Sequence, residues 1–133
     1  MKKLDIDNPN CFVCGEKNER GLKIDFKPGE ENSAVAETSL SRTYEGYEGI
    51  IHGGIISTLL DEAMSKTIHF HKLAAVTAEL TVRFKNSLPA DTKFTVYAQV
   101  KEIKGKLIFT EANITLTESK QVISTATAKF FLI

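Results

Sequence analysis

The sequence predicts an α+β fold in which one long helix is set among about six strands of an antiparallel sheet. Three observations carry this reading. Apolar residues recur at three- and four-residue steps between Ile55 and about Phe70, which is the helical period. Elsewhere they alternate with polar residues at period two, the mark of half-buried strands. The runs that follow the helix are joined by short connections, and a parallel crossover takes roughly a dozen residues or more, so neighbours are antiparallel.

Taken in order, the chain opens with a Cys11-Phe12-Val13-Cys14-Gly15 segment among Asn8, Pro9, Asn10, Asn18 and Gly21, which is loop chemistry. Leu22 to Phe26 alternates, and Ser33 to Leu40 follows across Pro28-Gly29, a turn pair that predicts an antiparallel hairpin. Residues 43–54 carry Gly46, Gly49, Gly53 and Gly54 with Tyr44 and Tyr47, too much glycine for an element interior. They read as a shaped loop. In the helix that follows, Ile55, Ile56, Leu59, Leu60, Ala63, Met64 and Ile68 form a broad apolar arc, which predicts a helix covered on more than one side, as by a wrapping sheet. Val76, Ala78, Leu80, Val82 and Phe84 then alternate with Thr77, Glu79, Thr81 and Arg83. Phe94, Val96, Ala98 and Val100 repeat the pattern, and runs over Leu107–Leu116 and Val122–Leu132 complete it. Gly105-Lys106 and Thr117 to Lys120 supply turns. With no internal repeat and no low-complexity linker, residues 1–133 read as a single domain.

Composition narrows the function classes. A chain of 133 residues with 42% hydrophobic and 26% charged side chains suits an ordinary globular domain with a core of its own. Lys plus Arg and Asp plus Glu both number 17, so no net positive field attracts a nucleic-acid backbone. No window approaches the roughly 18 apolar residues of a membrane span, and the charged start Met1–Asp5 has no apolar stretch behind it. A cytoplasmic protein with reduced cysteines is the expectation. Cys11 and Cys14 have Cys-x-x-Cys spacing, but a redox pair is expected at the start of a helix in a βαβ unit, not in a loop. Four ligands close a zinc site, and His52, His69 and His71 make no second pair. An ordered turn at one end of the domain is the favoured reading, with neither metal nor cofactor.

The unusual residues concentrate between Gly46 and Met64. Gly53 and Gly54 at a helix start allow close approach to backbone whose first N–H groups lack internal partners. Such a terminus binds a phosphate or a carbonyl oxygen under attack. His52, just before them, is placed to orient the turn or touch a ligand. Glycines alone would read as a tight turn, but Asp61 lies on the edge of the apolar arc, where a carboxylate needs a partner or a task as general base or nucleophile. Glu62, at the other edge, reads as solvated or ion-paired. His69 and His71 point different ways and read as a helix-end pair. The nucleophile elbow, the phosphate-binding glycine loops and the His-Glu-x-x-His helix are all missing from the sequence.

These residues resemble the hotdog-fold acyl-CoA thioesterases of the PaaI and THEM4-like group. The resemblance runs from Cys11-Phe-Val-Cys-Gly15, Asn18 and Gly21-Leu22 through His52-Gly53-Gly54, Leu59-Leu60-Asp61-Glu62-Ala63 and Val76-Thr77-Ala78-Glu79-Leu80 to the final strand. It implies a helix wrapped by an antiparallel sheet, paired into homodimers or homotetramers with sites at the subunit interface. By the same resemblance, Asp61 is the base or nucleophile for thioester hydrolysis, and the N–H of Gly53 or Gly54 polarises the carbonyl. His52 orients or contacts that carbonyl. Thr77 holds the attacking water and faces the partner's Asp61. Gly46 takes the place where some relatives carry a side-chain amide, and Met64 is a candidate for lining the acyl tunnel. Arg83, Lys85 and Lys104 are candidates for the coenzyme phosphates, which need a local cluster because the net charge is zero. A non-catalytic acyl-CoA-binding module is the alternative, and an acyl-thioester hydratase or dehydratase fits Asp61 less well.

Overall fold

The helical period becomes an 18-residue helix, α1 (Gly53–Phe70), in the computed structural model of the chain, which describes residues 7–133. The Met1–Asp5 start, from which no export signal is expected, lies outside the described residues. α1 begins two residues earlier than the apolar pattern, because His52 caps it and both glycines are helical. Lys72, with φ of 64°, turns the chain out of the helix, and the Leu73 N–H closes on the Ile68 carbonyl at 3.2 Å. Among the described residues, no helix is long and apolar enough to cross a membrane.

The strands are β1 (Lys27–Pro28), β2 (Ala34–Thr38), β3 (Ala75–Phe84), β4 (Phe94–Lys104), β5 (Leu107–Leu116) and β6 (Val122–Leu132). They form one antiparallel sheet in the order β1-β2-β4-β5-β6-β3. The strand that leaves the helix therefore crosses to the far edge, beside β6. The expected hairpin is shorter than its alternation. Lys23 has a φ of 55°, so Leu22–Phe26 is not a strand, and the Leu22 and Ile24 N–H groups donate to Phe12 and Val13 of the cysteine loop. Its apolar residues Leu22, Ile24 and Phe26 are buried all the same.

One face of the sheet packs on α1, most heavily through β4. Ala98, Val96 and Phe94 of β4 are fully buried beneath Leu59, Leu60, Ala63 and Met64 of the helix, in one continuous core. Thr67 is buried with them because its hydroxyl donates to the Asn32 carbonyl at 2.7 Å.

β3 departs from the even alternation of the sequence. Thr77 pairs with Phe130, yet Glu79 pairs with Lys129, so Ala78 is the extra residue of a β-bulge. Paired residues share a face, and a one-residue insertion flips every side chain beyond it. Leu80, Val82 and Phe84 face α1, opposite Ala128, Ala126 and Ser124, while Thr77 joins them and Val76 turns to the outer face opposite Phe131. β3 is exposed along most of its length, including the apolar Val76, Leu80 and Phe84.

Leu59 is fully buried, whereas Tyr47 is 87% exposed. Leu59→Ala is expected to destabilise by about 2–5 kcal/mol, and Tyr47→Ala by no more than about 0.5 kcal/mol. Denaturant midpoints with unchanged slopes are the measurement.

Candidate functional site

His52 is exposed and caps α1, its Nδ1 accepting the Gly54 N–H at 2.8 Å. That bond occupies one of the two glycine donors. Among the described residues, no acceptor meets the Gly53 N–H, so it is the donor at the helix start left for a ligand oxygen. Gly54 and Gly46 also sit close against His52, whereas a Cβ on Gly53 would make only ordinary contact with Phe84 at 3.5 Å. A Cβ on Gly54 would meet His52 Nδ1 at 3.1 Å, and one on Gly46 would meet His52 Cδ2 at 3.2 Å. Gly46 thus acts by letting His52 pack against the backbone.

The loop behind His52 is held by Glu45, a residue not singled out in the sequence. Its Oε2 accepts the Gly49 N–H at 2.7 Å and the Arg42 Nε–H at 3.0 Å. The Gly49 N–H, then Arg42, holds the Glu45 carboxyl below the usual carboxylate range. The His52 N–H in turn donates to the Tyr44 carbonyl at 2.9 Å. In front of His52 opens a cleft of about 750 Å³ lined by Gly46, His52, Gly53, Phe84 and Lys85, among others. That volume is enough for a sizeable ligand. Phe84, 56% exposed, forms its apolar wall beside Gly53.

Asp61 is half-buried further along α1, outside that cleft. The Thr77 hydroxyl donates to Asp61 Oδ1 at 2.7 Å, and the bulge at Ala78 explains the contact. With unbroken alternation, Thr77 would share the outer face with Glu79; the bulge turns it toward the helix. The expectation that Thr77 faces the partner's Asp61 is therefore corrected: the pair forms within one chain. Oδ2 of Asp61 is left to act on something else.

A single chain does not bring the donor and the carboxylate together. Gly53 and Asp61 are eight residues apart on one helix, which separates them by about 12 Å at 1.5 Å per residue. A base and an oxyanion donor serving one carbonyl must both lie within about 3 Å of the reacting atoms.

The remaining candidates are dispersed. Met64 is fully buried in the core and lines neither place. Lys85 is at the cleft, but Arg83 pairs with Thr125 on the outer face of the sheet, where it lines a separate hollow with Tyr97 and Gln99. Lys104 is ion-paired to Glu102 at 3.5 Å. Glu62, expected on a solvated or ion-paired edge, is half-buried against the cysteine loop, 3.7 Å from the Cys11 Sγ. Burial, then the hydrogen bond to Glu62, pushes the Cys14 thiol up to about 12, opposite to the low-pKa thiolate that suits disulfide exchange.

A helix under a six-stranded antiparallel sheet, with a glycine-opened terminus and an acid–hydroxyl pair, defines a protein of the hotdog-fold class. A family model described as "Thioesterase superfamily" matches residues 48–123, and the chain belongs to that family. The acyl-coenzyme A thioesterase THEM4 of Xenopus laevis is 31% identical over 97% of this chain and 54% of its own length, and that of Bos taurus is 27% identical over 94% and 52%. The chain thus spans about half the length of these relatives. Among solved structures, a thioesterase superfamily protein superposes with a TM-score of 0.87 at 23% identity, covering 92% of this chain and 60% of that one. The PaaI protein of the E. coli phenylacetic acid degradation operon gives 0.77 at 23% identity, covering 84% and 80%. A hypothetical thioesterase of Streptococcus pneumoniae, solved with coenzyme A, gives 0.77 at 19% identity, covering 83% and 85%.

Removing the cap is expected to cost about 1 kcal/mol in His52→Ala, while His52→Asn, whose side-chain oxygen caps well, stays near the native value. Equilibrium unfolding of both variants checks this; equal loss in both would mean that His52 packing, not its hydrogen bond to Gly54, holds the helix start.

Proposed function

We propose that the chain hydrolyses acyl-CoA thioesters at a site shared between two copies of itself. The observation that carries this reading is the Asp61–Thr77 hydrogen bond of 2.7 Å, set on a rigid helix about 12 Å from the unpaired Gly53 N–H. A pure binding module has no need of a carboxylate whose second oxygen is free and whose first is held by a hydroxyl. The names of the THEM4 relatives and the coenzyme A in the S. pneumoniae structure support the substrate class. Pairing of two chains along β3 supplies the missing proximity. That strand is an edge with its apolar Val76, Leu80 and Phe84 exposed, a surface that invites a partner.

In this reading the Gly53 N–H of one chain binds the thioester carbonyl oxygen, and the helix terminus favours the negative charge that develops there. Asp61 of the other chain takes a proton from water as the hydroxide oxygen adds to the carbonyl carbon. Thr77 donates its proton to Oδ1 and offers its oxygen lone pairs to that water. The tetrahedral intermediate collapses, the carbon–sulfur bond breaks, and the coenzyme thiolate recovers the proton from Asp61. A thioester is activated enough that a base and one aligned donor suffice. Lys85 at the cleft mouth is the cation best placed for a coenzyme phosphate.

Thiol release from short, medium, long and aromatic acyl-CoAs tests the proposal. The native protein is expected to turn over at least one class, Asp61→Asn to lose about two to four orders of magnitude, and Thr77→Ala to lose less. Binding without release across the panel would make the chain a carrier or sensor instead. Full turnover by Asp61→Asn would leave the activity real and the base misassigned.

A further inference from the structure

We propose that Cys11, Cys14 and Glu62 bind a thiophilic divalent cation of the zinc class, fastening the N-terminal loop to α1. This does not rest on the hydrolase reading. The two Sγ atoms and a Glu62 oxygen all lie within 4.8 Å of one another, and Cys11 Sγ is 3.7 Å from Glu62 Oε2. In a tetrahedral site with bonds of about 2.3 Å to sulfur and 2.1 Å to oxygen, sulfur and oxygen ligands stand about 3.6 Å apart and two sulfurs about 3.8 Å. The donors are therefore within about 1 Å of ligating positions.

The loop that presents the thiols is built to one shape. The Gly15 N–H donates to the Cys11 carbonyl at 2.9 Å, and the Leu22 N–H to the Phe12 carbonyl at 2.9 Å. A Cβ on Gly15 would meet the Cys11 nitrogen and the Pro9 carbonyl oxygen at 2.4 Å, so only glycine fits there. The ligand count, which in the sequence speaks against a metal, gains a third member from α1, 51 residues away from Cys11. Charge also matches. Two thiolates and one carboxylate need a divalent cation and one further positive charge, and Lys66 lines the same hollow within reach of Cys14. His69 lines it too, and among the described residues its buried Nδ1 has no hydrogen-bond partner. The fourth position of a tetrahedral set is left to solvent. As each metal–sulfur bond forms, the thiol proton leaves to solvent.

Cobalt(II) titration of the reduced, metal-free protein tests this, read by the thiolate-to-cobalt charge-transfer band and the visible bands of a tetrahedral site, with zinc as competitor. One cobalt per chain, displaced by zinc, is expected. Cys14→Ser should abolish the band. Glu62→Gln, which keeps both thiols, should weaken cobalt binding about 10-fold or more while leaving the helical circular dichroism native. If Cys14→Ser fails to fold, Glu62→Gln alone decides. Two freely titrating thiols with no cobalt band would overturn the proposal, as would a reduced protein that takes no metal and returns only to a Cys11–Cys14 disulfide. So would undiminished binding by Glu62→Gln.

Discussion

Gly53 and Asp61 ride on one rod. An α-helix holds residues eight positions apart at about 12 Å, and α1 cannot bend to shorten that distance because Ile56, Leu59, Leu60, Ala63, Met64 and Ile68 are locked into the core beneath it. On the proposed reading, that separation leaves two half-sites on each chain. One is a helix terminus with a vacant amide, an apolar wall at Phe84 and a cation at Lys85. The other is a carboxylate steadied by Thr77. Neither half is sufficient for acyl transfer, and both lie beside β3, the exposed edge of the sheet. The same rod that buries the core thus prescribes that function, on our reading, belongs to a pair of chains.

The second constraint is the bulge at Ala78. Strand alternation by itself sends Thr77 to the outer face with Glu79 and Thr81; the extra residue returns it to the helix side while keeping Leu80, Val82 and Phe84 inward. A bulge loosens ladder pairing locally, and this one re-aims a single hydroxyl onto Asp61. His52 plays a comparable part at the helix start. By occupying the Gly54 N–H it closes the cap and leaves the N–H of Gly53, a residue of the cleft lining, as the remaining glycine donor.

Much of this architecture was legible in the residues, for physical reasons that also mark where legibility ended. The helix announced itself because seven apolar residues fall on one arc, but its first turn did not, since glycine carries no periodicity and the cap is a histidine. Leu22, Ile24 and Phe26 alternate as a strand does and are buried as a strand's would be. Alternation reports burial, however, and the positive φ of Lys23 diverts their backbone to the cysteine loop. Asp61 could be picked out by its place on the helix arc and Thr77 by the family resemblance alone, whereas the contact within one chain depends on a bulge that no pattern encodes. Glu62 reads as solvated or ion-paired at an edge of the helix arc, but what it faces is set by tertiary folding over 51 residues.

The most direct test of a site shared between chains is subunit complementation. Gly53→Pro removes the one N–H at issue with little damage, because proline suits the first helical position and His52 already has the extended ψ of 136° that a following proline requires. Asp61→Asn removes the base. Differently tagged Gly53→Pro and Asp61→Asn chains are co-expressed, and the mixed species is isolated through both tags. A site shared between chains predicts two inactive parents and a mixed dimer with one intact site, hence about half of native turnover. A mixed dimer as inactive as its parents would contradict it, and would place base and amide in the same chain.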